Sequence, residues 1–222
     1  MEGTFDDFPL LTVWGSPSSL EIAKLISTTL NAQIENNTPL QLYYIDATNS
    51  FPLTQFQKLV PVNEDNKRIY DYIRIMTCLD LYELNRITNK MLQLISIDKI
   101  QKKQNIKHRN KEPDSLHNTY GILVFINGLE VMFRNTQMKE SQERTHLFLR
   151  DILLRIRAIA NQPKDDNSIE LRSIVTFPSN ELNKSLNKSS DNPAKRPKSI
   201  NLIKGNTIAE YVTKFYSDRL VS

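Results

Sequence analysis

Three short stretches of this chain carry residues at the spacing where an α/β protein would do phosphate and magnesium chemistry. The first is the turn Trp14-Gly-Ser-Pro-Ser-Ser-Leu-Glu-Ile22. A phosphate-binding loop needs glycines so that backbone N–H groups can wrap the anion, a lysine to neutralise it, and a hydroxyl to hold the metal. This turn has one glycine, a proline that removes an N–H, and no lysine before Lys24. Ser18 and Glu21 stand in S-x-x-E spacing, so the following helix is expected to cap itself and to present a carboxylate where a phosphate would sit. The second stretch is Tyr43-Tyr-Ile-Asp-Ala-Thr-Asn-Ser-Phe-Pro52, where a glutamate just past the strand would polarise a water; Thr48 cannot act as that base. The third is Gly121-Ile-Leu-Val-Phe-Ile-Asn127, an apolar run ending in an amide that brings no charge to balance magnesium. Together the three substitutions argue against nucleotide hydrolysis, and no cofactor is expected.

Positioning these stretches requires strands and helices in alternation. Leu10–Trp14, Leu40–Asp46, the region of Tyr72–Met76, Gly121–Asn127 and 168–177 read as strands from their apolar, β-prone runs. Helical spacing follows the first strand at Ile22, Leu25, Ile26 and Leu30. It recurs from about Leu81 to Ser96, with Asp80 and Glu83 as a cap, and again up to about Asn161. A short helix is expected from Pro52 to Leu59, an irregular turn near Asn135–Ser141, and a final helix opened by the capping box Thr207-Ile-Ala-Glu210. This pattern predicts a single α/β domain over residues 1–222 on a mostly parallel central sheet flanked by helices. Such sheets present ligand sites at the carboxyl ends of their strands.

With 39% apolar and 24% charged residues the composition is that of an ordinary soluble globular protein, without a run long enough to cross a bilayer. The acidic opening Met-Glu-Gly-Thr-Phe-Asp-Asp lacks the character of a secretion signal, so an intracellular protein is expected. Cys78 is the sole cysteine, and His108, His117 and His146 are scattered without zinc-ligand spacing; Cys78 reads as a small buried apolar residue. The net charge of +4 hides two basic segments on an acidic body. Between Lys99 and Lys111 there are six basic residues and no acid; between Glu181 and Lys204 there are six basic residues and two acids. Residues 98–118 read as a mobile basic insertion and 178–204 as a flexible basic loop, either one a candidate contact for a polyanion or simply solvated.

The order of these parts resembles the core of RecA-type recombinases and their paralogues. Tyr44-Ile-Asp-Ala-Thr-Asn-Ser-Phe51 stands in place of that family's Tyr-Ile-Asp-Thr-Glu-Gly-Thr-Phe motif, and Ile122–Asn127 in place of its magnesium strand. More specifically, Ile45–Pro61, Ile126–Asn135 and Ala209–Leu220 resemble the chromosome-segregation-in-meiosis subunits of the fungal Shu complex, and the likeness covers most of the chain. The resemblance implies a RecA-like core without ATPase motifs and a second RecA-like subunit as heterodimer partner within a larger complex. It also implies contacts to recombinase paralogues, a nuclear address, and DNA binding that promotes recombinase filament assembly in homologous recombination and error-free repair. By the same resemblance the loop 178–204 faces DNA, with Lys184, Lys188, Lys195, Arg196 and Lys198 on the phosphate backbone rather than on base edges. Pro197 interrupts the family's basic cluster, and Lys-Arg-Pro-Lys also reads as a nuclear-import signal. Phe51 is either an exposed anchor for a partner or a staple for the short helix after it, and Tyr211, Phe215 and Tyr216 face either a partner or the core. The competing reading is an assembly subunit whose partner binds all the DNA.

Overall fold

The computed structural model describes residues 5–36, 38, 40–108, 121–161, 169–182 and 207–221. Strands β1 (Leu11–Gly15), β2 (Leu40–Asp46), β3 (Ile73–Thr77), β4 (Gly121–Asn127), β5 (Glu170–Phe177) and β6 (Arg219–Val221) form one sheet in the order β3-β2-β4-β5-β1-β6. Every pairing in it is parallel. The order is consistent with a RecA-like core. Parallel pairing requires a crossover between neighbouring strands, and helices supply it on both faces.

Period-two alternation within the buried strands decides which side chain meets which layer. Ile122, Val124 and Ile126 of β4 pack with α4 (Leu81–His108), α5 (Leu129–Gln137), α6 (Gln142–Ala160) and α8 (Ile208–Phe215). Leu123 and Phe125 point the other way, into a second core with Tyr44, Trp14 and helices α1 (Ser19–Glu35) and α2 (Leu53–Leu59). A short helix α3 (Lys67–Asp71) adds Ile69 to that second core. Tyr44 and Phe125 stack at 4.9 Å across the β2–β4 pair, tying the central strands together by ring contact as well as by the ladder.

The layout departs from expectation in α4, α5 and an added last strand. Helix α4 continues to His108 rather than ending near Ser96, because residues 97–108 contain no glycine or proline and are rich in Lys, Gln and Ile, which tolerate a helix. At 1.5 Å per residue it is about 42 Å long, and its deepest contacts end at Ile95. The basic insertion expected over 98–118 is thus helical up to His108, and its remainder lies outside the described residues. Helix α5 occupies Leu129–Gln137, ahead of the irregular turn; it buries Leu129, Met132, Phe133 and Thr136, an i, i+3, i+4, i+7 stripe. A three-residue strand, β6, follows the last helix and pairs with β1. Among the described residues no helix is long and apolar enough to cross a membrane.

Candidate functional site

The parallel register places Asp46, Asn127 and Thr176 side by side at the carboxyl ends of β2, β4 and β5. Their side chains close on one another. The Asn127 amide Nδ2 donates to Asp46 Oδ1 at 3.0 Å, Thr48 Oγ1 at 2.8 Å and Ser50 Oγ at 2.7 Å, while its Oδ1 accepts from Thr176 Oγ1 at 2.5 Å. Asp46 also accepts from the backbone N–H of Thr48 at 2.8 Å and of Ser50 at 2.5 Å, and from the Thr48 hydroxyl at 2.8 Å. Burial pushes the Asp46 carboxyl up, but the donors of Thr48, Ser50 and Asn127 outweigh it and hold the pKa below the ordinary value. Asn49 takes φ 54°, the left-handed conformation that lets this turn fold its N–H groups back onto Asp46. A magnesium ion needs oxygen ligands at this row. Here an NH2 group fills the position and the oxygens around it already accept hydrogen bonds, so the residues do not fit a metal–nucleotide complex.

At the neighbouring end of β1 the capping box forms as expected. Glu21 Oε2 accepts from the Ser18 N–H at 2.8 Å and the Ser18 hydroxyl at 2.6 Å, and Ser18 Oγ accepts from the Glu21 N–H. Both Ser18 hydrogen bonds lower the Glu21 pKa, so an anionic carboxylate stands at the start of α1, the place a phosphate would need.

Beyond Phe177 the chain enters a short turn of helix, α7 (Ser179–Leu182). Residues 183–206 lie outside the described residues, and with them all five expected DNA contacts: Lys184, Lys188, Lys195, Arg196 and Lys198. The two ends of that segment are described, and they meet. Thr207, the N-cap of α8, donates its hydroxyl to the Glu181 carbonyl and accepts from the Glu210 N–H at 3.1 Å. The Glu181 side chain, 5% exposed, is paired with Arg134 Nη2 of α5 at 2.5 Å, and the Ser179 and Ser16 hydroxyls meet at 2.5 Å. The described residues on either side of 183–206 are therefore in direct contact.

Phe51 is half-buried. Its ring meets Tyr44 edge-on at 5.0 Å and Phe56 at 6.1 Å, which is the staple geometry for α2, while the exposed large apolar side chains that follow it in sequence are Leu53, Leu59 and Val62. Of the three C-terminal aromatics, Tyr216 is buried, Tyr211 half-buried and Phe215 exposed. Cys78 is buried, its thiol pushed up to about 12 by burial and by Glu83 and Asp80, so it is a packing residue and a poor nucleophile. No group of three or more potential metal ligands occurs among the described residues.

The Asp46–Ser50–Thr176 partners of Asn127 escape sequence reasoning because they converge only through strand register. The Arg134–Glu181 pair gives no sequence signal at all: its members come from separate elements. The Thr207–Glu210 box, by contrast, was visible as a spacing.

Comparison with known proteins identifies the family. Residues 11–217 match the family described as Shu complex component Csm2, DNA-binding. The chain is 41% identical over 220 residues to Chromosome segregation in meiosis protein 2 of Saccharomyces cerevisiae, covering 97% of this chain and 98% of the relative. It is 35% identical over 219 residues to the protein of the same name from Candida glabrata, covering 97% of each. A third relative, from Eremothecium gossypii, is 26% identical over 219 residues, 89% of this chain and 98% of that protein. With a match over nearly its whole length, the chain belongs to the family of Csm2 components of the Shu complex.

Proposed function

We propose that this protein is a non-catalytic DNA-binding subunit of a recombinase-paralogue complex, promoting recombinase filament assembly in homologous recombination and error-free DNA repair. The observation that carries the reading is the closed nucleotide position, beside which stands a strongly basic stretch of sequence. Asn127 and Asp46 hydrogen-bond each other, the described flanks Glu181 and Thr207 of residues 183–206 also hydrogen-bond each other, and the sequence between them carries Lys184, Lys188, Lys195, Arg196 and Lys198. Lysine and arginine without interleaved aromatics favour phosphate contact over base stacking. Residues 183–206 hold one acid, Asp191, so their charge is strongly positive on an otherwise acidic body. The partner is a second RecA-like subunit, the address is the nucleus, and Lys195-Arg196-Pro197-Lys198 serves both DNA contact and import.

The turn at Phe51 is the proposed recombinase-paralogue contact, with Leu53 and Leu59 of the following helix α2 as further exposed apolar side chains. Phe51→Ala removes core contacts as well as the exposed edge and is expected to cost roughly 1–3 kcal/mol in folding. The paired variant Leu53→Ser, Leu59→Ser spares the core, so it is expected to keep the melting temperature within a few degrees and to weaken paralogue capture. Retained capture by a folded Leu53→Ser, Leu59→Ser protein places the contact elsewhere.

Filament assembly itself is tested by the nucleation rate of a recombinase on single-stranded DNA, with the complex containing either the natural chain or one with the five loop cations replaced by alanine. Stimulation is expected to fall in the variant while the complex stays intact. Full stimulation by the variant supports instead an assembly subunit whose partner binds the DNA.

A further inference from the structure

The two edges of the sheet, rows of backbone groups that can template another strand, are finished differently. At the β3 edge the Leu42 N–H donates to the Tyr72 carbonyl at 2.8 Å, so alternation along the parallel ladder turns Tyr72 and Arg74 toward β2 and Ile73 outward. The Arg74 guanidinium folds over that edge: its Nη1 donates to the Ile73 carbonyl at 3.3 Å and to the Asp71 carbonyl at 3.0 Å. A strand arriving there has to displace it.

At the β6 edge the Asp218 N–H donates to the Leu11 carbonyl at 2.9 Å, so Asp218 and Leu220 turn toward β1 and the N–H and C=O groups of Arg219 and Val221 point away from the sheet. Among the described residues no backbone group pairs with them. The strand is three residues long, but its start is held firmly. Arg157 meets Asp218 through Nη2 and Oδ1 at 2.8 Å and through Nη1 and Oδ2 at 3.0 Å, and it also donates to the Tyr216 carbonyl. Asp218 Oδ2 further accepts the Leu11 N–H at 2.9 Å. An edge held this way needs little ordering before it pairs.

The side chains differ on the two sides of this edge. Val221 packs against the second core, so alternation places Arg219 on that side and Leu220 on the side of α6 and α8. Leu220 is 50% exposed, and Phe215 at the end of α8, on the same side of the sheet, is 59% exposed. Exposed Arg219 and Lys214, whose ammonium lies 5.3 Å from the Phe215 ring centre, have no acidic partner among the described residues. The acid between them, Asp218, is already engaged by Arg157 and Leu11. Such an edge fits a strand of matching alternation, with apolar residues toward Phe215 and Leu220 and acids toward Arg219. We propose that the outer edge of β6 receives an extended segment of another protein in which apolar and acidic residues alternate. Backbone groups of Arg219 and Val221 supply the hydrogen bonds, and the alternating side chains select the partner.

The test adds a short synthetic peptide of alternating glutamate and valine to the full chain. Saturable binding is expected by fluorescence anisotropy, and the amides of Arg219 and Val221 are expected to exchange quickly in the free chain and slowly with the peptide bound. Two N-methylated forms of the peptide, one methylated at every valine and one at every glutamate, separate backbone pairing from plain attraction without any change to the chain. Only one set of N–H groups faces β6, so one form is expected to lose binding and the other to keep it. The double reversal Lys214→Glu, Arg219→Glu is expected to weaken binding about tenfold, through two exposed ion pairs. Phe215→Ser is expected to weaken it at an unchanged melting temperature. The proposal is overturned if the peptide does not bind, if both N-methylated forms behave alike, or if Arg219 and Val221 exchange slowly without peptide. Unchanged binding by a folded double reversal, or equal binding of a lysine–valine counterpart, also overturns it. Displacement of the peptide by single-stranded DNA does so too, because it makes the edge a nucleic-acid surface.

Discussion

At the scale of single residues, Asn127 is an integral part of a polar knot rather than a leftover from an active site. Its amide is the one donor that Asp46, Thr48 and Ser50 share, and replacing it by aspartate converts that donor into a second acceptor 3.0 Å from Asp46 Oδ1. Asn127→Asp is expected to lower stability by about 2–3 kcal/mol at neutral pH, through lost hydrogen bonds and like-charge repulsion. Chemical denaturation at two pH values checks the sign. The two carboxylates raise each other's pKa, so the loss is greatest well above the carboxylate range and shrinks as pH falls and the pair takes up a proton. The natural chain behaves in the opposite way: the depressed pKa of Asp46 contributes stability above its ordinary value of 3.8, lost as pH falls through the lowered one. The missing charge at Asn127 could be read from the sequence, but not its partners, which only the β2–β4–β5 register brings together.

At the scale of elements, most of the sheet was legible because its buried strands are rich in apolar, β-prone residues, and three helix starts were legible as cap spacings at Ser18–Glu21, Asp80–Glu83 and Thr207–Glu210. What was hidden has physical causes. Helix α5 begins directly after β4, and the single residue between them is Gly128 at φ 78°, so strand and helix meet without a polar loop to mark the change. A Cβ at that position would lie 2.9 Å from the Ala47 Cβ. Gly128→Ala is therefore expected to cost more than the roughly 1–2 kcal/mol of the left-handed conformation alone, because backbone-fixed Ala47 cannot turn aside; thermal unfolding measures it. The extension of α4 was hidden by its polarity: lysine and glutamine suit a helix as well as a solvated loop, and periodicity falls silent once the helix leaves the core at Ile95.

At the scale of the whole molecule, topology separates the two basic segments. Helix α4 starts beside the carboxyl end of β3 and leads back toward β4, so its 99–107 portion runs toward the amino ends of the strands, while Glu181 and Thr207, the described residues that flank 183–206, meet beyond the carboxyl end of β5. The α/β architecture was predicted from strand–helix alternation, and family membership agrees with the resemblance; the contact of Glu181 with Thr207 was beyond sequence, being one between residues on either side of a long segment. The central claim is that Lys184, Lys188, Lys195, Arg196 and Lys198 carry DNA affinity by charge. It is tested most directly by a salt titration of DNA binding by the complex, natural chain against the five-alanine variant. Loss of affinity at every salt concentration is predicted, together with a slope shallower by about 0.7–0.9 for each phosphate contact removed; an unchanged affinity and slope in an intact complex would contradict it.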